Sequence, residues 1–264
     1  MKTSFDPQTG KPITVFDIGM FDGEDTAYYL ESGYRVIAVE ANPGLVSVAQ
    51  ERFKDAIASG QLTCVNAAIS PTGEEVELTL TGTDLASSTL FDARVAHKLP
   101  FASIRVPGIT LTDLFDRFGV PRYLKVDIEG ADRLCILSLT PVTRPAFISF
   151  EVGDDAEELI THAENVGYTR FKIINQNYFR ELANQNALYD RAVRRLMHRL
   201  GYLEPRKIKR AGRFFTADFS SGPVPWLSDG KWYSARETRE RLRSAIEKQL
   251  LEGWYDIHAA LPES

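Results

Sequence analysis

Short apolar runs rich in β-branched and aromatic residues alternate along this chain with stretches whose apolar positions recur at helical spacing. Thr14 to Ile18 reads as a buried strand, and a helix from about Glu24 to Ser32 follows, which Gly33 can end in the left-handed conformation. Arg35 to Glu40 (RVIAVE) is a second strand. After the Ala41-Asn42-Pro43 turn, Leu45, Val48, Ala49 and Phe53 fall at helical spacing up to about Ser59, and Leu62 to Ile69 (LTCVNAAI) reads as a third strand. This βαβα pattern predicts an open α/β sheet.

Further on, Glu75 to Leu80 alternates like a half-exposed strand, and Thr81 to Ser88 is a loop of small and polar residues. Leu111 to Gly119 places Leu111, Leu114, Phe115 and Phe118 on one helical face, with Thr112 as cap candidate. Tyr123 to Glu129 (YLKVDIE) and Ala146 to Val152 (AFISFEV) are the next strands, separated by a helix that Pro141 and Pro145 terminate. Phe171 to Ile174 and Arg213 to Phe219 read as the final pair of a seven-stranded sheet, the last strand antiparallel. Between them a helical insertion, about residues 186–212, carries apolar Leu188, Ala192, Leu196 and Leu200. It also bears a basic patch of Arg191, Arg194, Arg195, Arg199, Arg206, Lys207, Lys209 and Arg210. Ala235 to Leu251 is an amphipathic helix with Leu242, Ala245, Ile246 and Leu250 inward, either structural or an oligomer contact in a homodimer. The expected layout is a lead (1–13), one α/β domain (14–219) and a C-terminal loop and helix (220–264).

At 264 residues the chain suits one large α/β domain with additions. A net charge of −5, with 25% charged residues, argues against a general polyanion binder, so nucleic acid is not the expected partner. Cys64 and Cys135 show neither metal-ligand spacing nor a disulfide framework, which fits a reducing cytoplasm. No apolar run approaches the roughly twenty residues of a membrane span, and Met1 to Pro12 lacks the apolar core of a signal peptide. A soluble, cytoplasmic protein is expected.

Candidate chemistry gathers at the strand ends. Val15 to Thr26 (VFDIGMFDGEDT) joins the first strand to the first helix through Gly19 and Gly23, with Asp22 placed to cap the helix. A dinucleotide site needs G-x-G-x-x-G so that the backbone can approach a pyrophosphate, and here the middle glycine is missing. Asp17, Asp22, Glu24 and Asp25 would oppose two phosphates but suit a ligand with a sulfonium and an ammonium, such as S-adenosylmethionine. Glu40, about twenty residues after the turn, is placed to accept hydrogen bonds from both ribose hydroxyls. The small side chains of Asn66-Ala67-Ala68 leave room for an adenine ring, and Ser87 or Ser88 can donate from the later loop.

At the end of the fourth core strand, Asp127 and Glu129 face one side if the strand persists. Methyl transfer to a hydroxyl is helped by holding the acceptor oxygen about 3 Å away and removing its proton. Asp127 or Glu129 is therefore a candidate base, Glu151 a candidate to orient the acceptor, and Lys125 a group that polarises or balances the acids. A carboxylate pair also suits a hard divalent ion such as magnesium, but no third ligand is evident and no metal residue is assigned. His97 is an alternative base. The tryptophans of Ser220 to Trp232 can stack on a sugar or cover core, and the basic patch can recognise an anionic acceptor or face solvent.

VFDIGMFDGEDT, RVIAVEANP, VNAAIS, LKVDIEGAD and PAFISFEV, in that order and spacing, resemble the FkbM family of S-adenosylmethionine-dependent methyltransferases over about Val15 to Ile174. The resemblance implies a Rossmann-like, seven-stranded class I methyltransferase sheet with helices on both faces, and O-methylation of hydroxyls, often on sugars of glycans or natural products. It maps the acidic turn to Asp17, Gly19 and Gly23, the ribose acid to Glu40, and the later signature to Asp127, Glu129 and Gly130. Cofactor contacts are expected from Asp17, Gly19, Met20, Phe21, Asp22, Gly23 and Thr26, from Glu40, Ala41 and Asn42, from Asn66, Ala67 and Ala68, and from Ser88 and Asp127. Family members often carry a small residue and then asparagine where this chain has Met20 and Phe21, so contact to the methionine portion is expected to differ. The expected partner is a small-molecule or glycan acceptor, selected by Asn175 to Ser264. Carboxylate or nitrogen acceptors stay open, as does a catalytically silent partner-binding domain, whereas the missing G-x-G opposes an NAD-dependent oxidoreductase.

Overall fold

A computed structural model describes residues 3–81, 88–89, 101–128, 130–182, 207–217, 219–248, 250–251, 253–262 and 264. Ser87, His97, Glu129 and the basic stretch from Leu188 to Arg206 lie outside the described residues. The opening run is as the pattern predicts: β1 (Thr14–Ile18), α1 (Glu24–Glu31), β2 (Arg35–Glu40), α2 (Pro43–Arg52), α3 (Lys54–Ala58) and β3 (Leu62–Asn66). Asn42 caps α2 by accepting the Gly44 N–H at 2.9 Å, ahead of Pro43 in the first turn. The helix expected to reach Ser59 unbroken is interrupted at Phe53, which divides α2 from α3.

Small sheets follow from β4 (Ala68–Ile69), β5 (Val76–Thr81), β6 (Ser88–Thr89), β7 (Phe101–Val106) and β8 (Gly108–Ile109). β5 lies between β6 and β7, and β4 pairs with β8, so the third strand expected over Leu62 to Ile69 stops at Asn66 and its last two residues leave the main sheet. Ser88 thus belongs to a short strand opposite Leu80 rather than to a loop. α4 (Leu111–Phe118) begins in a capping box in which Thr110, not Thr112, accepts the Asp113 N–H at 3.0 Å.

β9 (Tyr123–Val126), α5 (Asp132–Ile136), β10 (Phe147–Glu151), α6 (Ala156–Asn165), β11 (Arg170–Asn175) and β12 (Arg180–Glu181) continue the alternation. A hairpin of β13 (Lys207–Arg210) and β14 (Arg213–Thr216), then α7 (Ala235–Glu247) and β15 (Tyr255–Ala260), complete the described elements. The main sheet has eight strands in the order β12-β11-β15-β10-β9-β1-β2-β3. β3, β2, β1, β9 and β10 run parallel, while β15 enters antiparallel between β10 and β11. Apart from the short edge strand β12, this is the Rossmann-like class I methyltransferase order. The strand sequence reverses between β1 and β9, so a ligand crevice opens beyond their C-terminal ends.

The closing strand is therefore not Arg213 to Phe219. Arg213–Thr216 pairs with Lys207–Arg210 in a separate hairpin, and Tyr255–Ala260 takes the place in the sheet. Asp256 and His258 give β15 a polar look in sequence, yet all six of its residues are buried. The C-terminal helix is also shorter than its pattern suggests: Leu242 and Ala245 are buried, whereas Ile246 is exposed.

Strand alternation divides the core into two layers. Phe16, Leu124, Ile148 and Ile257 pack with α4, α5, α6 and α7. Val15, Tyr123, Phe147 and Ala260 pack with α1 and with the chain that follows β14. In that chain Trp226 lies 4.9 Å from Phe147 and 6.0 Å from Tyr123, ring to ring, so it covers core. Trp232 is likewise occupied, 4.2 Å from the Lys172 ammonium. Among the described residues no helix is long and apolar enough to cross a membrane.

The assignment of the central antiparallel strand has a direct check in chemical denaturation. Ile257→Ala, at a fully buried site in β15, is expected to cost about 2–5 kcal/mol. Phe214→Ala, 66% exposed in the hairpin, is expected to change stability by only about 0.5 kcal/mol.

Candidate active site

The turn after β1 crosses the end of β9 at a distance only glycine permits. A Cβ on Gly19 would lie 1.8 Å from the Asp127 carbonyl oxygen, and its φ of 82° is left-handed as well. Phe21 holds a φ of 51°, uncommon for a residue with a side chain, and its N–H donates to Glu40 Oε2 at 3.0 Å. Glu40, 8% exposed at the end of β2, accepts the Asn42 N–H on Oε1 at 2.8 Å. Burial pushes its carboxyl up, and the two N–H donors pull it down. The Asn66 amide donates to the carbonyls of Glu40 and Ala41 at 2.9 and 3.0 Å, which fixes the chain beside that carboxylate. Ala67 and Ala68 are buried alongside. Met20 is buried in the α1-side layer, so its side chain fills core. The Phe21 ring instead stacks on Phe219 with centroids 6.4 Å apart.

Beneath this turn Lys125 is buried among carboxylates. Its Nζ donates to the Gly19 carbonyl at 2.9 Å and lies 3.1 Å from Asp17, 3.6 Å from Asp127 and 3.8 Å from Asp25. Burial lowers the lysine's affinity for its proton, but Asp17, Asp127 and Asp25 outweigh it and hold the pKa well above the usual range. Asp17 is fully buried: Oδ2 accepts the Thr26 hydroxyl at 2.6 Å, while Oδ1 meets Lys125 as an ion pair without a hydrogen bond. Asp17 and Thr26 thus commit these polar atoms to each other and to the lysine. Asp25 accepts the Ser220 hydroxyl and, at 3.0 Å, the Ser221 N–H, which pins the post-hairpin chain against the site. Burial raises its carboxyl to about 6 despite Lys125. Asp22 accepts the Glu24 N–H at 3.0 Å at the head of α1, near the left-handed Gly23.

β9 ends one residue before Asp127, although the Asp127 N–H still bonds to the Ile18 carbonyl at 2.9 Å. The Asp127 side chain is 33% exposed, the most open of the three acids around Lys125. Asp132, which sequence reasoning overlooked, fixes the neighbouring strand ends. Its two oxygens accept the N–H groups of Ile128 and Glu151, both at 2.9 Å, and burial raises its carboxyl to about 6. Glu151 is thereby held at the end of β10, opposite Asp256 of β15.

The register reveals a further polar row. Asp17, Lys125, Ser149, His258 and Lys172 are successive cross-strand neighbours through β1, β9, β10, β15 and β11. His258 is fully buried, and desolvation drives its pKa well below normal, so its ring is neutral. Lys172 donates to the Ser228 carbonyl at 2.8 Å, and burial lowers its pKa to about 8.

Residues 17–203 match the family model for the methyltransferase FkbM domain. The chain belongs to the FkbM methyltransferase family. It is accordingly an S-adenosylmethionine-dependent methyltransferase. The chain matches no curated protein. Among solved structures it is similar to a precorrin-6y C5,15-methyltransferase from Geobacter metallireducens, at 12% identity and TM-score 0.37, over 94% of this chain and 79% of that one. A TehB-like S-adenosylmethionine-dependent methyltransferase from Corynebacterium glutamicum aligns at 12% identity and TM-score 0.33, over 61% and 68%. A phosphoethanolamine N-methyltransferase 2 from Haemonchus contortus aligns at 12% identity and TM-score 0.37, over 99% and 50%. Among the described residues of this FkbM methyltransferase, no group of three His, Cys, Asp or Glu side chains is arranged to hold a metal ion.

Removing the buried cation should expose the charge balance of the FkbM site. Lys125→Met leaves Asp17 and Asp25 buried without it, an expected loss of about 3–5 kcal/mol at pH 7.5. An acid whose pKa is raised on folding adds stability below its unfolded value, and that contribution is lost as pH rises through the folded one. With Asp25 already at about 6, and higher once the lysine is gone, the deficit against wild type should be small near pH 4 and grow above pH 6. Urea melts across that range would check it.

Proposed function

We propose that this methyltransferase transfers a methyl group from S-adenosylmethionine to a hydroxyl of a saccharide, glycan or glycosylated metabolite. The observation that carries this reading is the line of acids at the ends of adjacent strands, Asp127, Glu151 and Asp256, on the face beside Lys125. A polyol offers many hydroxyl donors, and carboxyl oxygens are their natural acceptors. The two unpaired cysteines, Cys64 and Cys135, agree with action in the cytoplasm.

The residues at the β1 and β2 ends fit the cofactor. Each Glu40 oxygen accepts one backbone N–H and keeps a lone pair, enough for the two ribose hydroxyls. Gly19 leaves room for close approach, and the Asp17, Asp25 and Asp127 cluster exceeds the single Lys125 charge, which favours a cationic ligand. Phe21 with Phe219 and Asn66 with Ala67 and Ala68 border the same turn. The bound cofactor supplies an electrophilic methyl group on a sulfonium. Asp127, partly open to solvent, takes the proton from the acceptor hydroxyl, and Lys125 behind it offsets the carboxylate's charge and keeps it in place. Glu151, fixed through Asp132, orients the acceptor.

Calorimetry with S-adenosylmethionine, followed by labelled-methyl transfer to a panel of methyl glycosides, tests the reading. Glu40→Ala should weaken cofactor binding about 10–100-fold, the worth of charge-assisted hydrogen bonds. Asp127→Asn should retain binding while slowing transfer about 10²–10⁴-fold. Transfer to amines or carboxylic acids in place of the glycosides would overturn the saccharide acceptor.

A further inference from the structure

Trp254 stands 51% exposed immediately before β15. The sheet ladder continues past the strand end there: the Gln176 N–H bonds to the Trp254 carbonyl at 2.9 Å and the Val152 N–H to the Tyr255 carbonyl at 2.8 Å. Strand alternation therefore puts Trp254 on the same face as Asp256, Glu151 and Asp127. Its neighbour Asp256 is 2% exposed, with Oδ1 accepting the Gln176 amide at 2.7 Å. Oδ2 is buried and has no hydrogen-bond partner among the described residues, a costly state for a polar atom and one that a ligand hydroxyl relieves. Burial holds this carboxyl well above the usual range, which favours its protonated, donating form. Trp226 and Trp232 are already engaged with Phe147 and Lys172, which leaves Trp254 as the open indole at this edge.

We propose that Trp254, Asp256 and Gln176 form the acceptor subsite, with the indole stacked on the C–H face of a pyranose-sized ring and Asp256, oriented by Gln176, bonded to one of its hydroxyls. Residues two apart on a strand are about 7 Å apart, a span that suits one sugar ring with its hydroxyl substituent. An apolar plane beside a polar group matches the two-sided character of a sugar, which a flat aromatic or simple acyl acceptor lacks. The assignment rests on the saccharide reading and names the residues that select the ring.

Saturation-transfer NMR on the full chain with S-adenosylhomocysteine present, using methyl glucopyranoside, methyl galactopyranoside and methyl rhamnopyranoside as probes, tests it. At least one probe should show saturated ring C–H protons. Trp254→Ala should weaken that probe about fivefold, the equivalent of one aromatic contact, and Trp254→Phe should restore most of it. Asp256→Ala, which removes both carboxyl oxygens, should weaken it as well, with S-adenosylhomocysteine affinity unchanged in every variant. Probe binding that Trp254→Ala leaves intact overturns the subsite while the saccharide reading stands. Absence of binding by all three to wild type that still takes up S-adenosylhomocysteine overturns both.

Discussion

The arrangement around the crevice depends on one buried ammonium. Lys125 lies in the centre of the sheet, where an unpaired charge is prohibitive, and it is tolerated because Asp17, Asp25 and Asp127 surround it and the Gly19 carbonyl accepts from it. Each partner belongs to a different piece of the site: the end of β1, the first turn of α1, the end of β9 and the turn that crosses over it. The same ion group therefore sets the spacing of strand, helix and loop. Through Asp25 and the two serines it reaches the post-hairpin chain as well.

Much of this was legible because the first half of the chain states its structure locally. β1 and β2 are mainly apolar runs that follow a proline or a glycine, and Glu40 falls at the strand end that the spacing assigns to it. The later strands hide the same logic under alternating polar residues. In YLKVD, FISFE and YDIHAA the polar residues Lys125, Ser149 and His258 occupy every second place, a pattern that ordinarily signals a wet face. Here that face is dry: Ser149 bonds to Tyr123, His258 Nδ1 meets Ser228 of the overlying loop, and Lys125 donates to the Gly19 carbonyl. The polar residues of β15 mask its central place, so it passes unnoticed and the aromatic hairpin RFFT looks the better candidate. Asp132 was missed for a related reason: an acid in the first turn of a short helix has an adequate local explanation, and its bonds to two separate strand ends become evident only in three dimensions.

The two faces of the sheet serve different ends. On one, four helices pack in the ordinary way over a mixed aliphatic and aromatic layer. On the other, α1, α2 and α3 share the cover with irregular chain after β14, which lays Val224 and Trp226 on the aromatic floor and then passes into α7. An irregular cover has fewer internal hydrogen bonds than a helix and must anchor its backbone elsewhere, as Ser220, Ser221 and Ser228 do on Asp25, Lys172 and His258. The polar row across the sheet is thus partly the attachment for this cover.

The position of β15 also bears on how the protein emerges from the ribosome. Its residues 255–260 follow every other strand of the sheet in the chain, yet they fill the gap between β10 and β11. Until they are synthesised, two long strand edges face each other across an open slot, each presenting unpaired N–H and C=O groups. The nascent chain can settle β1, β2, β3, β9 and β10 early, but the sheet is joined into one unit only once residues 255–260 have emerged. During that interval the slot is open to any extended segment of another chain, which makes it the stage at which chaperone occupancy matters most.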